Sequence, residues 1–228
     1  MKKKEKSFYS LLYSLLVVLL LYPAAEGRSI AGLVFALFFT WLLISSLLAI
    51  SERKLHKTLF LIIFGIPSIA LLWLDQYMDS HILRMAEFSF MIGILGWTIV
   101  SIMNYIMRAK KVTTDILAGA GSVYLLMGIF WGIVNGFLHS LNPSSFNVSE
   151  TIKTSLYNNW AVFNYYSFTT LTTLGYGDIT PLTSRAQSFA IIEASSGVLF
   201  SALLISRLVG MYISQNIERN IEQEGRTE

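Results

Sequence analysis

The chain has 228 residues, of which 54% are hydrophobic and 14% charged, with a formal net charge of +3 and no cysteine. An ordinary soluble domain carries roughly 25% charged residues, so these proportions exclude a soluble globular protein and indicate an integral membrane protein. Without cysteine there is no disulfide and no thiolate metal site.

Six apolar blocks are long enough to span a bilayer, or nearly so: Ser7 to Ala25, Ser29 to Ile50, Thr58 to Leu74, Met85 to Met107, Val112 to Leu138 and Ala186 to Ile213. The first follows the basic start MKKKEK but is longer than a signal-peptide core, so it reads as a retained span. The third is the shortest, and Pro67 should kink it. With the N-terminus inside, only Arg28, Arg84, Lys153 and Arg185 of the 17 Lys and Arg residues face outward. Both termini are therefore expected in the cytoplasm, with the protein in the cell membrane. On this reading the positive charge reflects topology and is no nucleic-acid footprint.

The fourth block carries no Arg or Lys between Met85 and Met107, and its one ionisable residue is Glu87. A voltage-sensing helix needs repeated charges, since each contributes about 2.3 kcal/mol per 100 mV of potential. Voltage gating by such a helix is not expected. The first four spans read as a brace for the last two, with sensing of lipid, tension or a small molecule as the alternative.

Between the fifth and sixth blocks, His139 to Ser155 is polar and turn-rich, and Leu156 to Leu171 is apolar but too short to cross. A half-helix dipping in from the outer face fits this stretch, and the chain must then climb back through TTLGYGD. Irregular backbone at membrane depth is tolerated only where it lines a cavity or is buried in protein. Gly175 and Gly177 flank Tyr176, and glycine reaches positive φ freely, so successive carbonyls can turn toward one axis. A ring of such carbonyls above the Thr173 hydroxyl can replace the hydration shell of a monovalent cation. The C-terminal end of the half-helix dipole adds negative potential beneath it. Gly-Tyr-Gly alone arises by chance in about one such chain in thirty at average usage. The weight therefore rests on its surroundings: Thr173 before it, Asp178 after it, a half-helix upstream and a spanning helix on each side.

Thr173-Leu174-Gly175-Tyr176-Gly177-Asp178 resembles the selectivity filter of the potassium channel superfamily, with Leu174 where Val or Ile is more usual. The likeness is close over Tyr157 to Met211 and looser over the fifth span. It implies K+ sites at Thr173, Leu174, Gly175 and Tyr176, with Gly177 completing the filter and Asp178 anchoring its outer end. Tyr165 and Tyr166 fall where the family has aromatic residues around the filter, and a Tyr165 hydroxyl bond to Asp178 would hold it open. Gly197 falls at the family's inner-helix hinge, and Ser201 and Ala202 where the inner helices narrow. The small residues around Gly197 also suit plain close packing. Glu193, ionisable in mid-span, is expected behind the filter and hydrogen-bonded, with a cavity-facing cation attractant as the rival.

One motif supplies one strand of a filter, so four copies of the chain are needed to close the ring. The expected fold is all-α: six spans with a re-entrant pore helix and filter loop between the fifth and sixth, assembled as a homotetramer. Residues 1–110 would form a four-helix membrane domain, 111–215 the pore domain and 216–228 a short cytoplasmic tail. The implied function is passive K+ flux. The alternatives are a weakly selective cation channel, a K+ transporter component without an open pore, or a non-conducting subunit. Membrane lipid, K+ and further copies of the chain are the implied partners, with no cofactor beyond K+ and no nucleic acid. His56, His81 and His139 show no ligand spacing, no catalytic constellation is visible, and enzyme activity is not expected. Arg207 could meet Glu218, Asp115 or lipid phosphate, and Asn147-Val148-Ser149 forms a glycosylation triplet on the outer side.

Overall fold

The structure is a computed structural model that describes residues 8–21, 36–37, 39–45, 61–75, 80–109, 111–149, 152 and 159–224. Helix α1 is Tyr9–Leu21. Residues 36–37 and 39–45 are helical, and the remainder of the second expected span lies outside the described residues. A π-helical turn, Leu61–Gly65, leads into α2, Ile66–Asp75. Pro67 has no N–H and its ring displaces a carbonyl one turn earlier, which accounts for irregular winding where the sequence suggested a kink. The Ser68 hydroxyl donates to the Phe64 carbonyl there at 2.6 Å.

Among the described residues three helices are long and apolar enough to cross a membrane: α3 (His81–Arg108), α4 (Thr114–Leu141) and the first 34 residues of α6 (Ser184–Glu224). The shorter apolar helices are Tyr9–Leu20 and Ile63–Leu74. Thr113 caps α4 by accepting from the Ile116 N–H at 3.3 Å, and Asp115 in the first turn suits the helix dipole. Asp115 also accepts from the Phe8 N–H at 2.7 Å, which ties the start of α1 to that of α4. Helix α6 continues well past Ile213, so the segment expected as a separate tail from residue 216 begins as helix.

Helix α4 lies at the centre. It packs against α1, α3, α6 and the short helix α5 (Asn159–Leu171), and 72% of its most apolar window is buried. For α6 the figure is 17%, so most of that apolar surface has no cover within one chain. The main core joins Phe8 and, on α1, Leu11 and Leu15 to Ile94 and Ile102 of α3 and Leu126 of α4.

An all-α fold was expected, and one correction is needed. Strand β1 (Phe146–Val148) pairs antiparallel with β2 (Ile179–Pro181), in the register Phe146↔Pro181, Asn147↔Thr180 and Val148↔Ile179. The segments that precede α5 and follow the loop run side by side, so two extended segments satisfy each other's backbone groups. A second, smaller core lies under them, formed by Phe146, Val148, Val162, Phe163, Tyr166 and Ile179.

Candidate functional site

Helix α5 stops at Leu171 because the backbone reverses there. The N–H groups of Thr173 and Leu174 donate to the carbonyls of Thr170 (2.9 Å) and Thr169 (2.8 Å), and Thr173 has φ 60°. This is the Schellman pairing, with threonine in the left-handed position that glycine usually holds. The Gly175 N–H adds a second donor to the Thr169 carbonyl at 3.1 Å. A trans peptide is planar and its carbonyl points opposite its N–H. Turning the N–H groups of residues 173–175 back toward the helix therefore turns the carbonyls of Thr172, Thr173 and Leu174 the other way. Gly175 (φ 50°) and Gly177 (φ 80°) continue the pattern, so every second residue from 173 to 177 is left-handed. Residues 172–177 are exposed in the single chain.

Asp178 closes this stretch. Its carboxylate accepts from the Tyr165 hydroxyl at 2.6 Å and from the Ile179 N–H at 3.0 Å, while the Tyr165 and Tyr176 rings stack with centroids 6.5 Å apart. Tyr166 is buried and meets Phe146 edge-on at 5.4 Å. The two tyrosines thus diverge: Tyr165 faces Tyr176 and Asp178, and Tyr166 the second core.

Glu193 is fully buried behind α5 and accepts from the Asn135 amide at 2.9 Å. The Ser167 hydroxyl of α5 donates to the Gly128 carbonyl at 2.6 Å, and the Trp131 indole donates to Ser196 at 3.2 Å. Gly197 sits directly against the carbonyl of Leu171, where α6 presses on the end of α5. The Ser201 hydroxyl donates to the Gly197 carbonyl at 3.0 Å, and Ala202 is exposed. Arg207 donates to the carbonyls of Met107 (3.1 Å) and Ala109 (2.9 Å) at the end of α3. Asp115 is engaged elsewhere, and the side chain of Glu218 lies outside the described residues.

Sequence reasoning passed over Asn135, Asn164, Ser167 and the glycines of α4. Gly128, Gly132 and Gly136 recur every four residues, the spacing by which membrane helices approach closely. Gly128 lies under the Phe168 ring, and a Cβ at Gly132 would stand 2.9 Å from the Asn164 Cα. That spacing was present in the sequence. His81 bonds the Ser140 carbonyl at 3.1 Å and His139 packs between Phe146 and Phe163, while His56 lies outside the described residues. Among the described residues no cluster of His, Asp or Glu could hold a metal ion.

A loop of alternating left-handed residues is thus seated on a helix end between two long apolar helices, in a mostly helical protein with the helices of a membrane protein. Residues 116–214 match the ion channel family. A 50-residue stretch is 42% identical to the two-pore potassium channel 4 of Arabidopsis thaliana, covering 22% of this chain and 18% of that protein. No solved structure matches the chain. Over the matched region the chain is similar to the ion channel family, and the resemblance to the potassium channel superfamily is borne out. That family is not an enzymatic one.

Proposed function

We propose that the chain is the subunit of a homotetrameric, potassium-selective channel that passes K+ down its gradient through residues 173–177. The observation that carries this reading is the left-handed alternation at Thr173, Gly175 and Gly177, with the N–H groups of residues 173–175 turned back onto α5. Carbonyls so oriented suit a partly dehydrated monovalent cation. The likeness to a plant potassium channel supports K+ as that ion. Tetramer formation is supported by the exposure of Leu174, Tyr176, Val198, Leu199 and Leu203 in one chain, which three further copies would cover together with lipid. Thr173, Leu174, Gly175 and Tyr176 then hold K+. Asp178, Tyr165, Tyr166 and Glu193 support the filter, and the helices near Gly197, Ser201 and Ala202 narrow the inner mouth.

In this reading residues 1–110 brace the pore domain of 111–215, both termini are cytoplasmic, and the protein resides in the cell membrane. Helix α3 has no Arg or Lys between Arg84 and Arg108, which supports opening without a charged sensor helix. The test is a planar-bilayer recording of purified protein with K+ opposed by Na+, alongside Gly175→Ala. Reversal near the K+ equilibrium potential, lost in the variant, is the expected result. Reversal near zero would indicate a weakly selective cation pore, and no current from the wild type would favour a carrier component or a silent subunit.

A further inference from the structure

Between Leu174 and Gly177 the filter backbone has little beside it. An added Cβ at Gly175 or Gly177 would meet no other atom within 4 Å. Apart from the stacking of Tyr176 on Tyr165, the stretch hangs between two anchors. The inner anchor is the Thr169 carbonyl at the end of α5. The outer one is Asp178, and it has two independent parts. Tyr165 holds the side chain, whereas the Asp178 carbonyl accepts from the Ser149 N–H at 3.0 Å.

Ser149 stands at one end of the β1–β2 ladder. At the other end the Leu182 N–H donates to the Ser145 carbonyl at 2.8 Å. Antiparallel pairs alternate between bonded and non-bonded, so these end bonds make Asn147↔Thr180 the bonded pair and leave Phe146↔Pro181 and Val148↔Ile179 non-bonded. Pro181 fits the ladder for that reason, since no N–H is needed there. Phe146, Val148 and Ile179 face inward onto Val162, Phe163 and Tyr166, which fixes the ladder on the pore helix.

We propose that β1 is a positioning element for ion conduction: the Ser149 N–H holds the Asp178 carbonyl, and through it keeps Tyr176 and Gly177 in the conducting arrangement. The inference rests on the channel reading. Losing one such bond should shift the balance between held and released filter about fivefold. The outer segment thereby becomes a lever on the filter, because whatever displaces β1 withdraws one of its two outer tethers.

Two variants of the full chain, reconstituted beside the wild type, test this. Ser149→Pro removes the N–H donor. The double variant Val148→Cys, Ile179→Cys places the only thiols in a cysteine-free chain at a non-bonded pair. Such pairs have Cα atoms about 4.5 Å apart, within the disulfide range of about 4.4–6.8 Å. Wild-type K+ current is recorded first, and its absence would count against the channel reading and not against the tether. Ser149→Pro should raise the Na+/K+ permeability ratio severalfold and hasten current decay when external K+ is withdrawn. Oxidising the double variant should slow that decay relative to the same channels after reduction, with the permeability ratio unchanged. Wild-type selectivity and decay in Ser149→Pro would overturn the proposal. Should that variant not assemble, identical decay before and after disulfide formation would overturn it equally. Failure of the two thiols to join, read by mass, would refute the register itself.

Discussion

In the front helices, polar side chains mostly bond within their own helix. Ser14 donates to the Leu11 carbonyl, Ser68 to Phe64, Ser89 to Met85 and Thr98 to Ile94, each one turn back. Two links between front elements among the described residues join neutral groups, Ser10 with Ser45 and Trp73 with Thr40, both at 3.2 Å. Around α5 two of the bonds between elements reach ionisable groups, Tyr165 to Asp178 at 2.6 Å and Asn135 to Glu193 at 2.9 Å, beside Ser167 to the Gly128 carbonyl at 2.6 Å and Trp131 to Ser196 at 3.2 Å. Apolar packing tolerates volume-conserving exchange, whereas a directed polar contact does not. Directed contacts of this kind fix how α4, α5 and α6 sit on one another, whereas the Ser14, Ser68, Ser89 and Thr98 bonds stay within one helix.

The largest test of that contrast is Gly197→Leu. A side chain at Gly197 meets the Leu171 carbonyl, a backbone atom that cannot yield without moving the end of α5 and the filter with it. Overpacking costs about 1–3 kcal/mol and occasionally more, and this site belongs at the upper end. Size-exclusion chromatography and K+ flux should show lost assembly and no conduction. Gly210 on the same helix has nothing within 4 Å of an added Cβ, so Gly210→Ala should raise stability by up to about 1 kcal/mol through helix propensity. Equal tolerance at both glycines would remove the distinction.

Much of this contrast was legible in advance. The short helix before the glycine pair and the last three long helices could be read because each rests on a local signal, a short apolar run or a long one. The expected fourth span, Met85 to Met107, became His81–Arg108. The β1–β2 ladder was not legible, since each strand has three residues in turn-rich sequence and their pairing spans the whole pore helix. Nor were the partners of Arg207, because backbone carbonyls leave no mark in the side-chain sequence. Asn135 gives no cue until α6 brings Glu193 to it. The left-handed Thr173 was hidden for a related reason: glycine announces that conformation, and threonine adopts it here only because the Schellman pairing requires it.

A smaller effect separates polar placement from mere burial. Asn135→Leu keeps much of the volume but removes one donor to a fully buried carboxyl group, and losing a buried partner of this kind costs up to about 1–3 kcal/mol. Glu193→Gln retains an acceptor for the Asn135 amide and should cost less. The double variant Asn135→Leu, Glu193→Leu should recover part of the loss, since removing both partners is milder than removing one. Thermal unfolding of the reconstituted protein gives the ranking. If the two single variants were equal, the bond would not be what positions α6 behind the filter.

The smallest expected effect lies where the two regions meet. Arg207 reaches from α6 to the carbonyls of Met107 and Ala109, the last acceptors of α3, at the end where the helix dipole favours a cation. Arg207→Gln gives up the charge and part of the fork. The expected loss is about 0.5–1 kcal/mol, too little to unfold the protein. Arg207→Lys keeps the charge without the planar geometry and should fall between them. Hydrogen exchange at Ile106 to Ala109 should rise in the Gln variant while exchange around Asn135 and Ser167 stays at the wild-type level. If the front helices merely brace, that local loosening will leave K+ current unchanged. A change in open probability in step with the exchange at α3 would make the same contact the route by which the front helices act on the inner mouth.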